Sequence, residues 1–159
     1  GRSGLRRCGM METTMKPEGS GMEMRALRLT PGQDLRRALE CAVYAEGCSA
    51  AFVLSGIGSL EGAHLRRAGA DDAEALCGDM EVLTLAGTIA ANGSHLHASL
   101  ADASGVVQGG HLAYGCLVRT TAEVLLGLLP GLSFRREPDL RTGFAELVVR
   151  PEEGPAGPA

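Results

Sequence analysis

Three histidines are the residues whose type and spacing best suit chemistry. His95-Leu96-His97 places two imidazoles two positions apart. On a strand the side-chain period is two, so both rings face one side while Leu96 faces the other, into a core. Two imidazoles side by side can chelate one divalent metal, and a third ligand would complete an open site of the catalytic zinc type. His111 is the natural candidate for that third ligand; it follows Gly109-Gly110, where missing side chains allow close backbone approach. The competing description is a pair of hydrogen-bonded histidines on a polar sheet face. His64, isolated between Ala63 and Leu65, reads as structural.

Other groups could serve such a centre. Arg119 and Glu123 lie in a strand-like run beside threonines, as Glu81 does in another. A carboxylate near a metal can act as general base, and an arginine can hold an anionic substrate. The alternative for each is a solvent-facing strand position. Four arginine pairs, at 6–7, 36–37, 66–67 and 135–136, could meet and attract phosphate, or simply be solvated surface. Gly56-Ile-Gly58-Ser-Leu-Glu-Gly62 resembles a dinucleotide loop only superficially, since a strand rather than a helix should follow it. It reads as a turn. No G-x-S-x-G, Walker loop or H-E-x-x-H occurs.

The elements that must position these residues are mostly strands. Glu23–Leu29 is a first strand and Thr30-Pro31-Gly32 a turn. One helix is expected from about Asp34 to Glu46, since Leu35, Ala38, Leu39, Ala42 and Val43 repeat with helical spacing. Ser49–Ser55 reads as a buried strand that Gly56–Gly58 breaks, with Ala63–Ala68 as a returning strand and Asp71–Leu76 as a loop. Glu81–Ala91 and His95–Leu100 alternate around a hairpin signal at Asn92-Gly93. Further strands are expected near Val106, over Cys116–Leu126, and at Leu132–Arg136 and Phe144–Val149. One helix among many strands joined by short turns predicts an α+β fold: a mostly antiparallel sheet with one major flanking helix.

Bulk properties narrow the function classes. The 159 residues suit one folded domain, expected over 23–150, with tails at 1–22 and 151–159. The net charge of −4 and the 3 % aromatic content argue against a free-standing nucleic-acid binder or a base-stacking platform. Five irregularly spaced cysteines do not read as a disulfide framework, which favours a reducing, cytoplasmic compartment. No apolar run is long enough for a transmembrane helix, so no membrane association is expected.

Several motifs occur in an order that resembles one family. They are Pro31-Gly32-Gln-Asp34-Leu35, Ser55-Gly56-Ile-Gly58, Met80-Glu81-Val-Leu-Thr-Leu, His95-Leu-His97, Gly109-Gly-His111-Leu, Gly115-Cys116 and Thr121-Ala-Glu123-Val. Together, over about Met24 to Arg150, they are similar to the plant-and-prokaryote-conserved (PPC) domain in its bacterial form. The resemblance implies a single antiparallel-sheet domain with a flanking helix, assembling as a homotrimer. Plant members join it to a hook that binds AT-rich DNA, and bacterial members often carry a DNA-binding label. The Arg-Gly-Arg-Pro of such a hook is absent from this chain. The family fold is also similar to that of acetolactate decarboxylase and of a zinc-dependent ester hydrolase, both of which hold zinc with three histidines. This implies His95, His97 and His111 as metal ligands, with zinc favoured.

Two functional expectations follow. The leading one is a trimeric module that binds DNA or a partner in transcription and carries a histidine-lined metal site. The other is a small zinc-dependent enzyme, a lyase or hydrolase, acting on a carbonyl or carboxylate small molecule. In that case Arg119 would hold the carboxylate and Glu123 would move a proton.

Overall fold

The structure, a computed structural model, describes residues 21–153. The tails expected at 1–22 and 151–159 fall almost wholly outside those residues. Pro151, assigned above to the second tail, instead closes the last strand and pairs with Leu132.

The chain runs β1 (Glu23–Leu29), α1 (Leu35–Ala45), β2 (Ala50–Arg66), β3 (Ala73–Ala90), β4 (Gly93–Ala101), β5 (Val107–Leu112), β6 (Val118–Leu128), β7 (Leu132–Pro138) and β8 (Ala145–Pro151). This is the antiparallel, one-helix α+β architecture that the pattern predicts. α1 begins where Asp34 caps it: one carboxylate oxygen accepts from the Arg37 amide at 3.0 Å, the other from the Gly115 amide at 2.6 Å. Leu35, Leu39 and Val43, one turn apart, are fully buried. Removing each from water contributes about 1.5–3 kcal/mol.

Six strands form one sheet in the order β1-β6-β2-β3-β4-β5. The far end of β2 also pairs with β5, through Leu65↔Leu112 and Arg66↔His111. Strands β2 to β5 therefore curl into a partial barrel. Its inside is filled by Leu60, Leu65, Val82, Leu85, Ile89, Leu96, Leu100 and Leu112, with α1 packed onto the same core. β7 and β8 pair separately. Leu132 and Phe134 of that hairpin bury themselves against Ala50 and Ala90, and Phe134 meets Phe52 edge to face at 5.7 Å. Asn92 fastens the hairpin to the β3–β4 turn: its amide donates to the Arg136 carbonyl (2.9 Å) and accepts from the Arg136 amide (2.8 Å).

Two expectations are corrected. Gly56–Gly58 does not break a strand, because β2 is continuous for 17 residues. A Cβ on Gly58, whose φ is 159°, would stand 2.6 Å from the Thr121 carbonyl oxygen of β6. The pairing register with β6 shifts beside it, between Gly58 and Leu60. The glycine thus lets two strands close up and bend, which is the other reason for glycine within a strand. Ala73–Leu76, read above as loop, opens β3, where pairing with Ala63–Arg66 supplies backbone bonds that its weak side-chain pattern did not advertise.

Thiol chemistry should follow this packing. Cys41 and Cys77 are exposed, Cys48 and Cys116 buried; Cys8 lies outside the described residues. Burial pushes the Cys116 thiol up to about 11, so little reactive thiolate exists near neutrality. Peptide mapping after brief alkylation of the native protein at pH 8 should find Cys41 and Cys77 labelled and Cys116 protected until denaturant is added. Equal labelling rates would contradict the packing described.

Of the described residues, no helix is long and apolar enough to cross a membrane.

Candidate metal centre

β4 alternates as the sequence predicts. Ser94, Leu96, Ala98 and Leu100 are buried, while His95 and His97 point to the outer face of the barrel. β5 lies beside β4, and His97 pairs directly with His111. His111 in turn pairs with Arg66 of β2. The glycine pair before His111 has the role expected of it: a Cβ on Gly110 would stand 2.7 Å from the Arg66 carbonyl oxygen. Only a bare backbone there lets β5 fit between β4 and β2.

The three rings converge. His95 Nε2 lies 3.0 Å from His97 Nε2 and 3.1 Å from His111 Nδ1, and the last two are 3.2 Å apart. Among the described residues this is a group able to offer three ligand atoms to one ion. Nitrogens bound at about 2.0–2.1 Å, subtending roughly 90–110° at a common centre, stand about 3.0–3.4 Å apart. The observed triangle meets that requirement. Each neutral imidazole has one N–H and one lone pair. Three nitrogens at this spacing cannot satisfy one another as donors and acceptors, whereas a single cation satisfies all three.

The electrostatics favour the neutral form of His95 and His111, the form of imidazole that binds metal. Burial holds His95 down to about 4, assisted by the Arg136 guanidinium and then by the other two histidines. His111 is lowered by burial first and by the Arg66 guanidinium second.

A hydrogen-bond network ties β4 to α1. Glu40 of α1, only 8 % exposed, accepts from the Ser94 hydroxyl at 2.5 Å, from the Tyr114 hydroxyl at 2.8 Å, and from Arg36 at 3.4 Å. Arg36 also donates to the Ser94 hydroxyl and carbonyl oxygens and lies over the Tyr114 ring at 4.3 Å. Ser94 adjoins His95, so the helix helps to hold that residue in place. Glu40→Ala takes the shared carboxylate acceptor from the half-buried Arg36 guanidinium and from the Ser94 and Tyr114 hydroxyls. It should cost about 2–4 kcal/mol in urea denaturation; a loss within about 0.5 kcal/mol would show that the network is slack.

A single protomer does not bring every predicted residue to this centre. Arg119 and Glu123 are on β6, which lies between β1 and β2. Glu123 is exposed between buried Ala122 and Val124, on the same outer face as the histidines, but β2 and β3 separate its strand from β4. Arg119 forms an ion pair with Asp79 at 3.2 Å. Glu81, also exposed, pairs with Ser59 and Ala101. His64 stands apart, its ring packed on Gly115 and its Nδ1 3.3 Å from the Gly115 carbonyl oxygen. What the sequence did not reveal is a cleft of about 770 Å³ beside His95 and His111, whose lining includes Arg36, Arg66, Arg136 and Glu146. The arginine pairs were its only signal.

Comparison with known proteins shows the same family and fold. The Plants and Prokaryotes Conserved (PCC) domain family matches residues 16–130. A hypothetical protein from Salmonella enterica is 38 % identical, with a TM-score of 0.81 over 87 % of this chain and 100 % of that one. A metal-containing protein from Archaeoglobus fulgidus is 26 % identical, with a TM-score of 0.73 over 85 % of this chain and 99 % of its own. The bifunctional protein GlmU of a Synechococcus strain is 42 % identical over 153 residues, which is 96 % of this chain. The chain spans about a quarter of that relative, 24 % of its length.

Proposed function

This chain belongs to the Plants and Prokaryotes Conserved domain family, and on that premise we propose that it is a metal-binding module in which His95, His97 and His111 hold one zinc ion and leave coordination positions open to a small ligand. The observation that carries this is the triangle of ring nitrogens with edges of 3.0, 3.1 and 3.2 Å. The metal-containing relative supports it. Zinc in such a ligand set would polarise a carbonyl oxygen or lower the pKa of a bound water. The chain's own part is to present three ring nitrogens from two paired strands, beside a cleft that can receive a ligand. Equilibrium dialysis of the chelator-stripped chain against zinc should give one ion per chain, and a value near zero refutes the reading.

The module is read as a homotrimer. Leu54, Ile57 and Leu83 are 43 %, 55 % and 47 % exposed on the strands that lie between the histidines and Glu123. Covering them is the reason to assemble. A neighbouring protomer is also the route by which Glu123 and Arg119 would reach a histidine cluster, as proton carrier and anion holder. Light scattering should give three times the chain mass for the wild type and one for Ile57→Asp. A monomeric wild type would remove both residues from the site.

Direct DNA binding has weaker support, because the chain carries a net charge of −4 and phosphate contacts need a basic surface. A DNA titration at low and moderate salt separates the two roles. Salt-sensitive binding that survives metal removal would favour the DNA module over the ligand site.

A further inference from the structure

The arginine pairs at 36–37, 66–67 and 135–136 each send one member to the same place. Arg36, Arg66 and Arg136 line the cleft beside His95 and His111. Their neighbours go elsewhere: Arg37 toward the Tyr114 ring, Arg67 to Glu74 and Gln108, and Arg135 to solvent.

The three cleft arginines differ in how far they are already used. Arg36 is committed to Ser94, Glu40 and the Leu112 carbonyl oxygen, and serves as wall. Arg66 donates one hydrogen bond, to the Ala70 carbonyl oxygen at 3.0 Å. It stands in register with His111. Arg136 reaches over the sheet and donates to the Thr88 hydroxyl at 2.6 Å. Thr88 is in register with His95. The Nε of Arg136 is buried and has no hydrogen-bond partner. Two guanidiniums with unused donors therefore flank the histidine triangle, one on the His111 side and one on the His95 side.

We propose that Arg66 and Arg136 form an oxyanion-recognition subsite in this cleft. A small anionic ligand, bearing a carboxylate or a phosphate group, places its charged end between the two guanidiniums. Its other end then reaches the histidines; that last clause alone rests on the metal reading above.

The chemistry favours this occupant. A planar guanidinium presents paired N–H groups that match an oxyanion. A buried N–H without an acceptor calls for one, and burial already lowers the Arg136 pKa, which an anion would relieve. The cleft is of the size that holds small molecules. Glu146 and Asp71 also line it. Glu146 acts on Arg136 only through space, with no ion pair between them among the described residues, so it competes with the ligand without replacing it. Arg136 sits on β7, beyond the residues 16–130 that match the family. The subsite therefore depends on the hairpin as well as on the shared sheet.

The test is calorimetric titration of the full-length chain with inorganic phosphate and, separately, with malonate. Zinc stoichiometry and thermal melting are measured on the same samples. Binding of either anion should weaken about tenfold or more in Arg136→Gln and in Arg66→Gln, while both variants keep their zinc and their melting temperature. Removing the competing carboxylate with Glu146→Gln should tighten binding. In His97→Ala the anion should still bind, so failure of the metal reading would leave this result standing. A preference for phosphate or for malonate identifies which oxyanion the subsite reads. The proposal is overturned if neither anion binds at millimolar concentration, or if the Arg66→Gln/Arg136→Gln double variant folds and binds like the wild type.

Discussion

His97→Ala is expected to take bound zinc from one ion per chain to near zero in dialysis against submicromolar zinc, without unfolding the domain. His97 is exposed, and the neighbours that build the core are Leu96 and Ala98, 1 % and 5 % exposed. The substitution therefore removes a ligand and little packing. Zinc-finger peptides gain about 10–16 kcal/mol from four ligands, so one nitrogen contributes about 3 kcal/mol, at least about a hundredfold in affinity. The stability of the metal-free protein carries the opposite sign. Without a cation the three nitrogens crowd one another at 3.0–3.2 Å, and deleting one ring relieves that. In excess chelator His97→Ala should melt at or above the wild-type temperature. A variant that unfolds in chelator, or one that keeps stoichiometric zinc, would contradict the assignment of His97 as a ligand without a structural duty.

Gly87→Ala is expected to be far more damaging, although it lies on β3 and touches no ligand ring. Gly87 has φ +149°, a conformation that residues with a side chain rarely adopt. Its partner on β4 is Leu96. A Cβ there would overlap the His95 carbonyl oxygen and lie 2.8 Å from the Leu96 Cα. These are backbone atoms of a paired strand and cannot swing aside. Strain and lost pairing together should cost about 3 kcal/mol or more, a large part of the 5–15 kcal/mol that holds a typical domain. Because the displaced segment is the one between His95 and His97, zinc binding should fall with stability. Urea denaturation and zinc stoichiometry measure the two. A Gly87→Ala protein with wild-type melting would mean that β3 and β4 are less closely apposed than described here.

Much of the fold could be read from the chain because its signals are local. β1 has the predicted bounds, and α1 differs by one residue at each end from the expected span. The histidine face follows from the two-residue period of a strand, and the glycine pair before His111 marks a close backbone approach. Where the reading failed, one local signal had two meanings. Gly56-Ile-Gly58 is the same string whether it turns a chain or lets two strands press together; only the presence of β6 beside it decides. The candidate site divides along the same line. His95, His97 and His111 come from neighbouring strands in a hairpin-like order, so sequence proximity and spatial proximity agree. Arg119 and Glu123 follow His111 closely in sequence, but β6 crosses to the far side of β2. Arg66 and Arg136 are 70 positions apart, and nothing short of the β2–β5 closure and the docking of the β7–β8 hairpin could show that they flank one cleft.

The central claim, that this domain is built to hold a metal on three histidines, is tested most directly by anomalous diffraction at the zinc edge from crystals of zinc-loaded protein. The account predicts one strong peak per chain, bonded to His95 Nε2, His97 Nε2 and His111 Nδ1 together. A zinc-loaded crystal with no peak among these rings, or with its peak at another cluster, would contradict it.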